Sequence, residues 1–134
     1  MTASEACPCG RLDAQKRQLA YAACCGVFIE HFDTQPAPDA HNLMRSRYSA
    51  FVRQDAAYLQ ATWHASTRPA QLDFEPAAKW LGLEVKAYEI TGEHSAEVEF
   101  VARYRVAGRA VRLHERSRFV REQGRWFYVD GEQG

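Results

Sequence analysis

With 134 residues, 17 basic and 17 acidic side chains and a formal net charge of zero, the chain has room for one ordinary domain plus a short appendage. Its apolar fraction of 46% and charged fraction of 25% are those of a globular protein and exclude wholesale disorder. The balanced charge argues against a strongly basic nucleic-acid binder, and no apolar run reaches the roughly 18 residues that a membrane span needs.

Met1–Ala6 lacks the basic segment and apolar block of an export signal, so the expectation is a cytoplasmic protein with reduced cysteines. All four cysteines fall within residues 1–32. In Cys7-Pro8-Cys9-Gly10 the proline holds Cys7 extended and the glycine permits a reversal, so two thiolates can face one centre. Fourteen residues later comes the adjacent pair Cys24-Cys25, followed by Gly26, which reads as a helix stop. Residues 33–42, polar and holding two prolines, read as a linker.

The remainder, 43–134, begins helical and ends in strands. Asp39 and Asn42 are candidate N-caps for a helix through about Arg53, with Leu43, Met44, Tyr48, Phe51 and Val52 at helical spacing. Asp55 can cap a second helix carrying Tyr58, Leu59 and Trp63, broken at Ser66–Pro69. Pro76 suits the first turn of a short third helix that includes Trp80 and stops near Gly82. From Leu83 the period changes to two, and turns near Gly108 and at Gln123-Gly124 divide the rest into about four antiparallel strands. Helices followed by a meander of long strands predict an α+β domain.

Four thiolates meeting at one point match the tetrahedral soft-ligand site that zinc prefers. A disulfide between Cys24 and Cys25 would join Cα atoms about 3.8 Å apart, below the roughly 4.4 Å minimum of an unstrained bridge. Redox use and four unliganded thiols remain as competing readings, though the Cys-x-x-Cys spacing usual for redox pairs is absent. A leading segment of some thirty residues buries too little surface to fold unaided, whereas structural zinc contributes about 10–16 kcal/mol at neutral pH. With four protein ligands the metal would be structural.

These residues carry a resemblance. Cys7-Pro8-Cys9-Gly10 and Tyr21-Ala22-Ala23-Cys24-Cys25-Gly26 look like the SEC-C motif, named for the zinc-binding tail of SecA. The rest resembles the YchJ family of uncharacterised bacterial proteins, through Leu43–Ala50, Thr62-Trp63-His64, Ser66–Pro69, Trp80–Leu83, His114-Glu115 with Ser117 and Phe119, Gly124-Arg125-Trp126 and Tyr128–Gly131. The resemblance implies an NTF2-like cone, about three helices on a curved antiparallel sheet of about four strands, behind a small SEC-C-like zinc unit at 1–32. Two departures stand out. Arg11 and Leu12 replace the family's Ser-Gly after Gly10, and the longer gap before Cys24 is expected to lengthen a helix within Arg11–Ala20. A second, C-terminal cysteine motif that some relatives carry is absent.

One strand position points to chemistry. In Val111, Leu113, Glu115, Ser117 and Phe119 the Glu115 carboxylate falls on the apolar side, where it is costly unless paired. Arg47 flanks the buried stripe of the first helix, so an Arg47–Glu115 ion pair inside the cone is the natural proposal, either as a fastening or as part of a pocket. His64, ending the second helix, is a candidate general base or a helix-end cap. His114 reads as solvated, and four cysteines leave His31 no vacancy on the metal. Trp80, Trp126 and Tyr128 read as core or as pocket lining.

Seven arginines on the last strands (Arg103, Arg105, Arg112, Arg116, Arg118, Arg121, Arg125) offer a basic face, against which Glu84, Glu89, Glu97 and Glu99 can pair. Three functions therefore stay open: a zinc-stabilised module that meets a partner protein or the ribosome, a small-molecule or enzymatic pocket using Glu115, Arg47 and His64, and nucleic-acid binding through the arginines. The first is preferred, because the cysteine cluster is the most specific signal.

Overall fold

The computed structural model of the chain describes residues 5–74 and 77–133. Its frame is a four-stranded antiparallel meander, β1 (Lys79–Gly92), β2 (Ser95–Val106), β3 (Arg109–Glu122) and β4 (Arg125–Gln133), paired in sequence order. Alternation puts Ala96, Val98, Phe100 and Ala102 of β2 on one buried face, with Ser117 and Phe119 of β3 beside them. Two tight hairpins set the register. Ala107-Gly108 and Gln123-Gly124 all take positive φ, the turn geometry whose twist matches that of the flanking strands. Irregularities in pairing at Trp80/Gly82, Val85/Ala87 and Ile90/Gly92, and again at Arg118/Phe119, bend the strands around the apolar face.

The expected third helix is corrected here. Pro76 lies outside the described residues, but Lys79–Gly82 is the start of β1, with Trp80 paired opposite Tyr104. The Trp80 ring packs against Tyr48 and Tyr104, with centroids 5.6 and 4.9 Å away. A long-range aromatic cluster thus overrides a local helix-start signal.

Among the described residues the helices are α1 (Gly26–Ile29), α2 (Ala40–Arg53) and α3 (Ala56–Ala61), preceded by a single 3₁₀ turn at Tyr21–Ala23. Asp39 caps α2 by accepting from the Asn42 N–H at 2.7 Å, and Asp55 caps α3 by accepting from the Tyr58 N–H at 3.1 Å. Gln54, left-handed at φ 56°, ends α2. Beyond α3 the chain runs parallel to β4: Tyr128 N–H donates to Thr62 O at 2.8 Å and His64 N–H to Tyr128 O at 2.7 Å.

Helix α2 is buried on two sides. Met44, Arg47, Tyr48 and Phe51 turn toward the sheet, while Asn42, Arg45, Ser49 and Arg53 meet the cysteine segment. The 3- and 4-residue spacing within each set places each on its own stripe of the helix. Ser46, Ser49 and Ala50 are wholly buried.

Two further expectations change. The segment after Gly10 forms a narrow antiparallel excursion instead of a lengthened helix, with Leu12 opposite Gln18 and Asp13 N–H donating to Arg17 O at 2.8 Å. Gly26 starts α1 and does not stop a helix; a Cβ there would lie 2.7 Å from Tyr21 O and 2.9 Å from its ring, so close packing selects the glycine. The polar stretch before α2 is anchored: Arg125 of β4 donates to Phe32 O at 2.8 Å and Asp33 O at 3.1 Å, its guanidinium 4.4 Å above the Phe32 ring.

Candidate metal centre and cone cavity

Cys7, Cys9, Cys24 and Cys25 converge as the spacing predicts. Their four sulfurs lie within 4.8 Å of one another, all four residues are buried, and the Cys9 and Cys24 sulfurs are 3.6 Å apart. A tetrahedral zinc with bonds of about 2.3 Å needs sulfurs about 3.8 Å apart. The cluster fits a metal site. Cys7 N–H donates to Leu19 O and Gly10 N–H to Cys7 O, so the Cys-Pro-Cys-Gly turn is pinned to the strand-like return of the excursion, while Cys25 leads directly into α1.

The proton affinities within the cluster diverge. Hydrogen bonds from Cys24 and Cys25 hold Cys7 far below the ordinary thiol range and bring Cys9 down to about 6. Cys25 is driven up by Cys24, Cys7 and Cys9 in turn and by burial. At Cys24 the Cys25 thiol lowers, but contacts with Cys7 and Cys9 together with burial outweigh it and the net direction is up. Two thiolates can be solvated by two thiols, but four buried thiolates need a cation among them.

The cluster is braced by α2. The Cys7 sulfur is 3.5 Å from Ser49 Oγ, Arg45 Nη1 donates to Cys9 O at 3.2 Å, and Arg11 Nη1 donates to Asn42 Oδ1 at 2.8 Å. At the far end of the helix Arg53 sits 4.1 Å over the Tyr21 ring, whose hydroxyl donates to Glu30 at 2.8 Å. His31 is exposed and takes no part.

On the opposite side of α2, facing the sheet, lies a partly open cavity of about 190 Å³. Its walls are Met44, Tyr48, Phe51, Trp63, Trp80, Phe100, Ala102, Leu113 and Phe119, and its polar atoms come from Arg47, Glu115, Ser117 and Tyr128. Two of the three candidate residues therefore share one chamber. The expected Arg47–Glu115 ion pair does not form: Arg47 Nη1 donates instead to Leu59 O at 2.8 Å and Thr62 Oγ1 at 2.7 Å, fastening the end of α3. The guanidinium lies 4.5 Å from the Tyr128 ring centroid and 5.1 Å from that of Trp63. Burial lowers Arg47 to about 10, opposed by Tyr128, Tyr58 and Glu115.

Glu115 Oε2 accepts from Ser117 Oγ at 2.6 Å and from Tyr128 OH at 3.3 Å. Burial first, then the Glu115 charge, pushes Tyr128 up to about 12, so it is a donor at neutral pH. Ser117, Tyr128 and Trp63 complete a site of which only Glu115 and Arg47 stood out by charge. Ser117 shares the inward alternation of Glu115, which was the available signal for it.

His64 is placed elsewhere. It is absent from the cavity lining, and its Nε2 meets Glu122 Oε2 at 2.8 Å while Nδ1 meets Ser66 Oγ at 2.7 Å. His114 pairs with Glu99 at 2.6 Å on the outer face of the sheet. On that face Arg116 meets Glu97, Glu89 (3.0 Å) and Glu99 (3.6 Å), Arg118 meets Asp130 (2.6 Å) and Glu132 (3.2 Å), and Arg103 meets Glu84 (3.7 Å). Much of the basic character is thus neutralised in place. No described helix is long and apolar enough to cross a membrane.

Sheet, helices and cysteine cluster together define an NTF2-like domain joined to an N-terminal four-cysteine unit. Residues 39–131 match the family model described as YchJ, middle NTF2-like domain. A UPF0225 protein of Polaromonas naphthalenivorans is 63% identical over 133 residues, covering 95% of this chain and 96% of that one, and one of Bordetella parapertussis is 53% identical over 128 residues, covering 95% and 92%. The chain belongs to the YchJ (UPF0225) family. Two solved structures are similar, both of SEC-C motif containing proteins. The one from Rhodopseudomonas palustris has a TM-score of 0.78 at 30% identity, covering 96% of this chain and 98% of that chain; the one from Psychrobacter arcticus has 0.81 at 29%, covering 96% and 82%.

Proposed function

We propose that the protein is a zinc-stabilised binding protein in which the metal is a fastening and the cone takes a small molecule. The observation that carries this reading is the division of α2, one stripe against the cysteine cluster and the other against a chamber of about 190 Å³ with buried polar groups. A closed set of four thiolates has no position for water or substrate, so the metal orders the N-terminal unit and holds α2 in place. The cavity volume supports occupancy, since a dry cavity of about 150 Å³ holds a benzene ring. Two measurements test the reading. Purified reduced protein should hold one zinc per chain, and small apolar probes such as isopentanol should quench or shift Trp63 and Trp80 fluorescence in the native protein but not in Ala102→Phe, which fills the chamber. Absence of stoichiometric zinc would remove the first half; indifference of the tryptophans to every probe would remove the second.

A second reading, an interaction module for a partner protein or the ribosome, is favoured by one feature. Leu12 is 52% exposed on the excursion that projects from the cysteine unit. If this is a contact point, Leu12→Asp should abolish co-purification of that partner while leaving zinc content unchanged; an identical partner set would dismiss it.

A further inference from the structure

We propose that the cone cavity is a site for a small zwitterion, an α-amino acid with a compact apolar side chain, held by Arg47 through its carboxylate and by Glu115 through its ammonium group. This deepens, and rests on, the reading of the cone as a small-molecule site.

The inference begins with an unused donor edge. Arg47 is only 5% exposed, yet both of its hydrogen bonds to the protein leave from Nη1. Nε and Nη2, which form the side-on fork of the guanidinium, have no partner among the described residues. No fully buried side-chain nitrogen or oxygen in the described structure lacks a hydrogen bond, so these two donors must open onto accessible space, and the space that Arg47 lines is the cavity. A fork of this kind matches a carboxylate by two parallel hydrogen bonds. The Tyr128 and Trp63 rings lie beside the guanidinium, 4.5 and 5.1 Å from it.

The acidic partner is prepared in the same way. Glu115 Oε2 is taken by Ser117 and Tyr128, which leaves Oε1 without a partner among the described residues. Both hydroxyls donate to Oε2, so Oε1 is the oxygen left for a ligand. A buried cation and a carboxylate in one chamber ordinarily close on each other, because separation in low dielectric is costly. Here α3 and Tyr128 hold them apart. A ligand bearing only an anion would satisfy Arg47 but face Glu115; one bearing only a cation would do the reverse. A molecule that carries both charged groups on one carbon satisfies each side and keeps the chamber neutral. The remaining wall, including Met44, Phe100 and Leu113, offers the side chain no polar partner and selects an apolar one.

The test uses the full zinc-loaded chain and calorimetric titration with L-leucine, leucinamide, isovalerate and isopentanol. L-leucine should bind, while leucinamide, without the carboxylate, and isovalerate, one methylene shorter and without the ammonium, should each bind about 10- to 100-fold more weakly. Glu115→Gln keeps the volume and removes the charge, so it should reverse the preference and bind isovalerate more tightly than L-leucine. Since Arg47→Met also removes the fastening of α3, Arg47→Lys serves beside it and should weaken L-leucine more than isopentanol. Should isovalerate or isopentanol match L-leucine in the wild-type protein, or Glu115→Gln leave the preference unchanged, the zwitterion assignment is wrong while the cavity remains a ligand site. Should none of the four bind, the assignment falls together with the reading of the cone as a small-molecule site.

Discussion

The Glu115 side chain lies across Gly131, where a Cβ would come within 2.6 Å of its Cδ and closer still to Oε2. Gly131 stands opposite Ser117 in the β3–β4 pairing, on the same inward face. The missing side chain on β4 is thus what lets a carboxylate from β3 lean back into hydrogen bonds with Ser117 and Tyr128. Gly131→Ala should push Glu115 out of those bonds and destabilise the fold by about 1–3 kcal/mol, read as a lower denaturation midpoint. Stability equal to the parent would show that the carboxylate has another place to go.

Removing the proposed metal should loosen more than the first thirty residues. Cys7, Cys9, Cys24 and Cys25 share one continuous buried cluster with Leu43, Met44 and Tyr48 of α2. Cys25→Ser, or a strong chelator at neutral pH, should release the proposed zinc and lower the melting temperature of the whole domain in one transition. Unchanged melting of the sheet, followed by near-UV circular dichroism, would show that the two parts fold independently.

Ser49 offers a finer probe. Its hydroxyl lies 3.5 Å from the Cys7 sulfur and is completely buried. Ser49→Ala should weaken the proposed zinc site by roughly tenfold in competition with a chromophoric chelator while leaving the far-UV spectrum unchanged. An unaltered affinity would mean that the hydroxyl merely fills space.

Alkali should unfold the protein in a defined window. Burial raises Tyr48, Tyr58 and Tyr128 to about 12, against about 10 in an unfolded chain. The folded state therefore keeps protons that the unfolded state gives up, so the stability these groups contribute is complete below pH ~10 and is lost as pH rises toward 12. Arg47, lowered to about 10 by burial, acts in the opposite sense but is one group against three. Absorbance at 295 nm should show these phenols ionising together with loss of structure; early ionisation without unfolding would contradict their burial.

Much of this was legible in the chain of residues. The four-cysteine cluster was legible in Cys-Pro-Cys-Gly, whose proline and glycine turn two thiols toward one centre, and in the adjacent pair Cys24-Cys25. The caps Asp39 and Asp55, the long strands and the inward Glu115 are equally local, since a side-chain oxygen three residues from an N–H and a period of two need no distant partner.

What the tertiary structure decided depends on contacts across the chain. Lys79–Gly82 became strand because Trp80 found Tyr48 and Tyr104, and Arg11–Ala20 became an excursion because the cluster needed Leu19 O beside Cys7. Arg47 and Glu115 reached the same chamber, as their patterns suggested, but remained unpaired because Leu59, Thr62, Ser117 and Tyr128 claimed part of each. A pattern shows which way a charge points; which neighbour it meets first depends on where the other elements settle.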